Sequence, residues 1–375
     1  MQTRRLDEFE GLRGVLAWWV VFGHVTFAFS DRAGRLTQHT SAVSLFIILS
    51  GFVIAHLLVS KNEGYKPFIV RRFFRIFPAY IAALLAAFLM LGIQRSAIFS
   101  SPFSTDRNLT RIDLVDEALM HPVQHLLAHI TMLHGLVPET IRKSSDYAIL
   151  GQAWSISVEW QFYLIAPFLI RMLFRGPLMA VSTVVIMLGL AEFATGDGLK
   201  LNDAFMLNHL AWFLVGIGSF WLWHNQGLPK RRLVAAVAAL CLLAAGLIWR
   251  DVGAVLWAPL LLMLCGVNRR LTSAGRSILG NPFLMWLGRI SYSTYLLHMI
   301  ALYGCMWIAV RLTDSLSAYA LFVIAGTVSS TILMSYLSFR FIEKPGILLG
   351  TRMATGRFAQ RSQVDRREAD GTQAV

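Results

Sequence analysis

Arg13 and His24 stand eleven residues apart in one apolar stretch. On a helix that spacing is about three turns, so both groups fall on one face separated by roughly 16 Å. An ionisable side chain inside a membrane span costs roughly 2.5 to 3.5 kcal/mol on insertion, which turns it toward a protein interior or a polar cavity. Imidazole exchanges protons near neutrality, so His24 is a candidate general base or acyl carrier. Arg13 is a candidate anion ligand or a group that positions His24. The plainer alternatives are a histidine bonded to a backbone carbonyl and an arginine snorkelling to the interface.

Further along, Arg71, Arg72 and Arg75 are interleaved with Phe73, Phe74, Ile76, Phe77 and Pro78. Three guanidiniums at the expected mouth of a span could grip a phosphorylated donor bidentately; simple charge anchoring explains Arg71 equally well. Between Trp154 and Tyr163, the carboxylate of Glu159 is flanked by Ser155, Ser157 and aromatic rings. Glu159 could hold an imidazolium or take a proton from a hydroxyl, while Ser157 and Tyr163 are polar candidates for substrate contact or helix–helix bonding. The same two readings apply to Arg289, Tyr295 and His298 in a later apolar run. His121, His125 and His129 repeat every four residues. That spacing could suit a metal on a helix, but Pro122 and an interfacial setting explain it more simply, and no metal is expected.

These residues must be positioned by membrane helices. The chain has 375 residues, 56% of them hydrophobic and 15% charged, with a mean hydropathy of +0.58, too apolar for a soluble surface. The net charge of +13 fits loop anchoring and needs no nucleic acid. Cys241, Cys265 and Cys305 fall in apolar runs without metal or disulfide spacing. Ten apolar stretches are long enough to suggest spans: Gly11 to Ser30, Ser41 to Val59, Ile76 to Ile93, Trp154 to Leu173, Pro177 to Thr195, Phe205 to Trp223, Leu233 to Trp249, a short Val252 to Val267, Phe283 to Val310, and Tyr319 to Ile342. The first is read as a retained span rather than a cleaved signal, because no small-residue cleavage pattern ends it.

With the N-terminus in the cytoplasm, 21 of the 34 Lys and Arg fall on that side and 10 on the other, as the positive-inside rule requires. The expectation is an all-α bundle of about ten transmembrane helices with both termini cytoplasmic. Residues 1–345 would form the membrane domain and 346–375 a basic, disordered tail. The long segment Gln94 to Ala153 would lie outside, with a helix from Pro122 to Gly135 at the interface carrying Val123, Leu126, Leu127, Ile130 and Leu133 on one side.

Taken together, these motifs resemble the membrane-bound acyltransferase 3 family, from Leu6 to Pro345. Leu12-Arg13-Gly14 through Gly23-His24 looks like its leading motif. It is followed in the family's order by Phe46 to Phe52, Arg71 to Pro78, Trp154 to Tyr163, Leu287 to His298, and Glu343-Lys344-Pro345. The resemblance implies about ten helices and transfer of an acyl group, commonly acetyl, from acyl-CoA to a carbohydrate, glycolipid or other hydroxylated acceptor. The setting would be the bacterial inner membrane, among membrane lipids, with acyl-CoA as co-substrate and no permanently bound cofactor. By motif match the family's essential arginine and histidine fall on Arg13 and His24, its arginine cluster on Arg72 and Arg75, and its mid-chain carboxylate on Glu159. Phe9-Glu10 departs from the usual Leu-Asp, leaving the role of that acid open. The chain carries no appended hydrolase-like domain of the kind some members have, so a second transfer step is expected to use another protein. A homo-oligomer is compatible with the sequence. The competing classes are a transporter or flippase, since intramembrane Arg, His and Glu also mark solute pathways, and a noncatalytic scaffold.

Overall fold

The computed structural model describes residues 7–37, 39–61, 63–196 and 199–356, and among them every regular element is helical. Among the described residues, nine helical stretches are long and apolar enough to cross a membrane, and a tenth arises if one sharply bent pair is counted as a span. Helix α1 (Asp7–Phe29) carries Arg13 and His24 and is followed by the short α2 (Asp31–Thr37). Next come α3 (His39–Lys61), α4 (Tyr65–Leu89) and α5 (Leu91–Phe99), then two helices outside the spans, α6 (Asp106–Met120) and α7 (Pro122–Ile130). The bundle continues with α8 (Trp154–Leu173), α9 (Pro177–Thr195), α10 (Leu210–His224) and α11 (Arg231–Trp249). α12 (Val252–Leu264), α13 (Arg269–Leu279), α14 (Pro282–Arg289), α15 (Ser291–Leu312), α16 (Leu316–Ser338) and α17 (Lys344–Ala354) complete it.

Burial divides these helices by role. α15 is buried along almost its whole length and forms the central pillar, while α9 turns Leu178, Val181, Val185, Ile186 and Phe193 outward. An outward apolar face of that kind is tolerated because the surrounding solvent is lipid. Contact between α1 and α14 depends on small residues. A Cβ on Gly288 would stand 1.8 Å from the Glu10 carbonyl oxygen, so only glycine lets the two backbones meet. At the crossing of α3 and α10, Gly216 serves the same purpose, with the Ile48 carbonyl oxygen 2.0 Å from where its Cβ would be.

Several boundaries differ from the hydropathy reading, each for a local reason. The third span begins at Tyr65 rather than Ile76, because Phe68 already belongs to the buried face and no glycine or proline falls between Phe68 and Phe77. The arginine cluster therefore lies within α4 rather than at its mouth. The ninth span is divided at Ile290 into α14 and α15, next to the close approach at Gly288. The short eighth span, α12, has 13 residues and bends by 110° into α13. α13 buries none of its residues and carries Arg269, Arg270 and Arg276, the pattern of an interfacial amphipathic helix. The tenth span runs through a π-helical turn, Phe339–Glu343, into α17, which packs on α4. Helical structure thus reaches Ala354, past the expected domain boundary at 345, and the remainder of the expected tail, 357–375, lies outside the described residues.

α6 and α7 cap the end of the bundle at which α1 finishes. The helix expected to reach Gly135 stops at Ile130, and Met132 follows with a φ of 57°. Val123, Leu127 and Ile130 are exposed, whereas His125, His129 and His134 are fully buried. His129 donates from Nδ1 to the His125 carbonyl at 2.9 Å and stacks on His134 with ring centroids 4.2 Å apart. These histidines hold the cap together, and no group of three or more metal-ligating side chains suited to an ion occurs among the described residues.

Replacing Gly288 with alanine is expected to destabilise the protein by about 1–3 kcal/mol through overpacking, read as a lower unfolding midpoint in detergent. An unchanged midpoint would mean that α1 and α14 can separate without loss.

Candidate active site

Two cavities enter the bundle from opposite ends and share Val43 and Tyr295 in their walls. The larger, about 740 Å³, is lined by the first turns of α1, most of α3 from Val43 to Leu57, the first half of α4, the end of α14 and the starts of α8 and α15. It contains Arg13, Arg72, Arg75, Glu159, Tyr163 and Glu343. The smaller, about 110 Å³, lies under the cap and contains His24, His39, Arg107 and Arg111. Arg13 and His24 therefore share α1 but open into different chambers.

In the larger cavity, Glu159 accepts hydrogen bonds from Ser50 Oγ at 3.2 Å and from the Tyr163 hydroxyl. Arg72 lies 5.6 Å from the Tyr163 ring centroid and 5.8 Å from that of Phe68, within cation–π range. The Arg72 Nε atom is buried without a hydrogen-bond partner among the described residues. Arg75 sits in the field of Glu343, Tyr163, Glu10 and Glu159. Glu343, only 2% exposed, is carried into the interior by the π-helical turn and accepts from Ser293 Oγ at 2.9 Å. Arg289 is exposed and sits at the rim of this cavity. Arg71 points elsewhere and pairs with Glu63, so it anchors the start of α4.

At the smaller cavity, His24 and His39 line the wall and the imidazole of His298 packs behind them. The His24 ring centroid lies 4.5 Å from that of His39 and 5.2 Å from that of His298. His298 is directed by its own helix, since its Nδ1 lies 2.8 Å from the Tyr295 carbonyl oxygen and 3.3 Å from that of Thr294. The Arg111 Nη2 atom donates to His24 Nδ1 at 3.2 Å and to the His24 carbonyl at 3.3 Å. Burial lowers the Arg111 guanidinium below its ordinary pKa; nearby Arg107 adds to the fall, and Tyr303 and Asp31 oppose it.

Not every sequence candidate lines a cavity. Ser157 is buried, accepts from the Gly135 backbone N–H at 3.2 Å and from Gln161 Nε2 at 3.0 Å, and ties the cap to α8. Tyr295 stands between the two chambers, its hydroxyl bonded to Ser155 Oγ at 2.7 Å and to the Gln152 carbonyl at 3.0 Å. Glu159, a candidate to hold an imidazolium or take a proton from a hydroxyl, is bonded to Ser50 and Tyr163 within the arginine chamber. Three residues of the site were not singled out from the sequence: Arg111, which looked like an ordinary loop charge; His39, a lone histidine at the start of α3; and Glu343, which was visible only as part of Glu343-Lys344-Pro345.

The family profile described as an acyltransferase domain matches residues 6–338. The chain belongs to the acyltransferase 3 family. A Staphylococcus aureus (strain COL) protein provisionally named an O-acetyltransferase is 22% identical over 92% of this chain, and the aligned region is 58% of that relative's own length. Acyltransferase MdmB of Streptomyces mycarofaciens is 26% identical over 80% of each chain. No solved structure matches. This acyltransferase 3 protein thus spans little more than half the length of the Staphylococcus relative.

Arg71→Ala is expected to cost about 1 kcal/mol, the upper end of the range for surface ion pairs, since its pair with Glu63 is partly buried, and to leave ligand binding in the arginine chamber unchanged. The check is acetyl-CoA binding alongside Arg72→Ala; equal losses in the two variants would place Arg71 within the site.

Proposed function

We propose that the protein is an integral membrane O-acyltransferase that takes an acyl group, most simply acetyl, from acyl-CoA at the arginine chamber and delivers it to a hydroxyl in the His24 chamber. The observation that carries this reading is the pair of opposed cavities meeting at Tyr295, one rich in guanidinium groups and the other centred on an imidazole. A volume of about 740 Å³ is within the usual range for small-molecule sites. Its guanidiniums suit the phosphates of a CoA head group. The excess of Lys and Arg on the expected inner side supports a cytoplasmic opening for that chamber, the side from which acyl-CoA would enter.

Within this scheme Arg72 and Arg75 hold the head group and Arg13 lies further along the same cavity. Glu159, Tyr163 and Glu343 fix the arginines and keep their charges from repelling one another. The pantetheine arm runs toward Tyr295, and the thioester reaches the partition between the chambers. His24 then exchanges the proton of the acceptor hydroxyl or carries the acyl group briefly, dividing one transfer into two steps. The cap side would admit the acceptor, a carbohydrate or glycolipid, between the cap and α8, where Trp154 and Tyr147 line the cavity.

In proteoliposomes supplied with radiolabelled acetyl-CoA and membrane glycan extract, His24→Ala is expected to lose label transfer by about 10²-fold or more. Arg75→Ala should instead raise the KM for acetyl-CoA by about tenfold, on the order of one charge-assisted hydrogen bond. Transfer by His24→Ala at the wild-type rate would contradict the scheme, and net movement of unmodified solute without acyl-CoA would favour a transporter.

A further inference from the structure

Arg111 is supplied by the cap rather than by any span, yet it is only 6% exposed. Its position is built in. The first turn of α6 is clamped onto the end of α1 by Thr105 Oγ donating to the Phe27 carbonyl at 3.1 Å and Asn108 Nδ2 donating to the Ala28 carbonyl at 3.1 Å. The Asp31 carboxylate accepts from the backbone N–H groups of Asp106 at 2.7 Å and Arg107 at 3.2 Å. From that platform Arg111 donates to Asn108 Oδ1 at 3.2 Å and to the two His24 acceptors. Arg111 makes no ion pair with a carboxylate among the described residues. A buried guanidinium held only by neutral acceptors is costly, and a cost retained beside a reactive imidazole calls for an anion that forms there.

The contact also decides a proton. A guanidinium has donors and no acceptor, so His24 Nδ1 must be the unprotonated nitrogen and the neutral ring carries its proton on Nε2. The one lone pair with which His24 could act as a base is therefore the one that Arg111 covers. His298 complements this. Its Nδ1–H is committed to the carbonyls of Tyr295 and Thr294, which leaves a lone pair on Nε2, an atom buried without a partner among the described residues. An imidazolium formed on His24 would thus have a neutral acceptor in the adjoining ring.

We propose that Arg111 is a catalytic residue of the transfer reaction: it covers the base lone pair of His24 in the empty enzyme, gives way to the acceptor hydroxyl, and then supplies the charge against which the oxyanion forms. This rests on the reading of His24 as the group that takes the hydroxyl proton. In the step, the hydroxyl oxygen bonds to the thioester carbonyl carbon as its proton passes to His24 Nδ1, and the carbonyl π pair moves onto oxygen beside Arg111. Collapse of that adduct re-forms the carbonyl and breaks the carbon–sulfur bond, and the departing CoA thiolate takes the proton from His24. Acid, base and leaving group are restored, and no further reactant is needed.

The test uses full-length wild type, Arg111→Met, Arg111→Lys and His24→Ala in liposomes with radiolabelled acetyl-CoA and membrane glycan extract. It adds nitrogen NMR of histidine-labelled wild type, assigned by the signal lost in His24→Ala. Arg111→Met is expected to lower kcat by about 10²–10³-fold, the usual effect of removing one oxyanion donor, while the KM for acetyl-CoA stays within about twofold. Arg111→Lys should recover part of the rate, since it keeps the charge but not the forked geometry. The wild-type spectrum should show His24 with Nδ1 unprotonated. A wild-type kcat in Arg111→Met while His24→Ala is inactive would overturn the proposal, as would a protonated Nδ1 in the wild-type spectrum whatever the activities. Full activity in His24→Ala would instead remove the reading on which the proposal rests.

Discussion

A guanidinium or imidazole inside the hydrocarbon layer must be compensated by protein, because lipid offers nothing to bond it. Most of this architecture can be understood as meeting that demand along one line. Arg13 and His24 set the line on α1, and the other helices are recruited to it: α4 adds Arg72 and Arg75, α8 adds Glu159 and Tyr163, and α15 adds Tyr295 and His298. Even the irregular features serve it, for the π-helical turn after α16 is what carries Glu343 into the field of Arg75. Widened turns of this kind recur where a helix must deliver a functional side chain.

Close helix packing makes the line possible. Gly288 brings α14 against the start of α1, next to Arg13, and the helix break at Ile290 then lets α15 leave at its own angle into the centre. α15 can be buried along most of its length because most of its polar atoms are satisfied locally: Ser293 Oγ by Glu343 and Ser338, the Tyr295 hydroxyl by Ser155 and Gln152, and His298 Nδ1 by its own helix carbonyls. The lipid-facing helices α9 and α11 contribute little to either cavity and supply the apolar outer surface.

Hydropathy alone locates the spans well, since roughly 20 apolar residues and flanking charge report directly on the bilayer. Arg13 and His24 were legible for the same reason, because a charge in such a stretch is expensive and stands out, whereas the arginine cluster was legible as a run of guanidiniums beside a span. Arg111 was not legible, because it belongs to a polar loop segment where a charge costs nothing until the cap folds over His24, 87 positions earlier in the chain. The partners of Glu159 were not legible for a related reason. Spacing along α8 places a carboxylate near one end of a helix, but only the packing of α3 across it shows that Ser50, not His24, is within reach. Tyr295 could be recognised as polar and intramembrane, yet its place between two cavities depends on four helices at once.

The central claim is that donor and acceptor reach one reaction centre from opposite faces of the membrane. It is tested most directly with sealed vesicles of known protein orientation, with acetyl-CoA confined to one face and label followed in glycan extract on the other. The account predicts transfer only when acetyl-CoA faces the arginine chamber and the acceptor faces the cap. Equal transfer with both substrates on the same face, or with the two reversed, would contradict it.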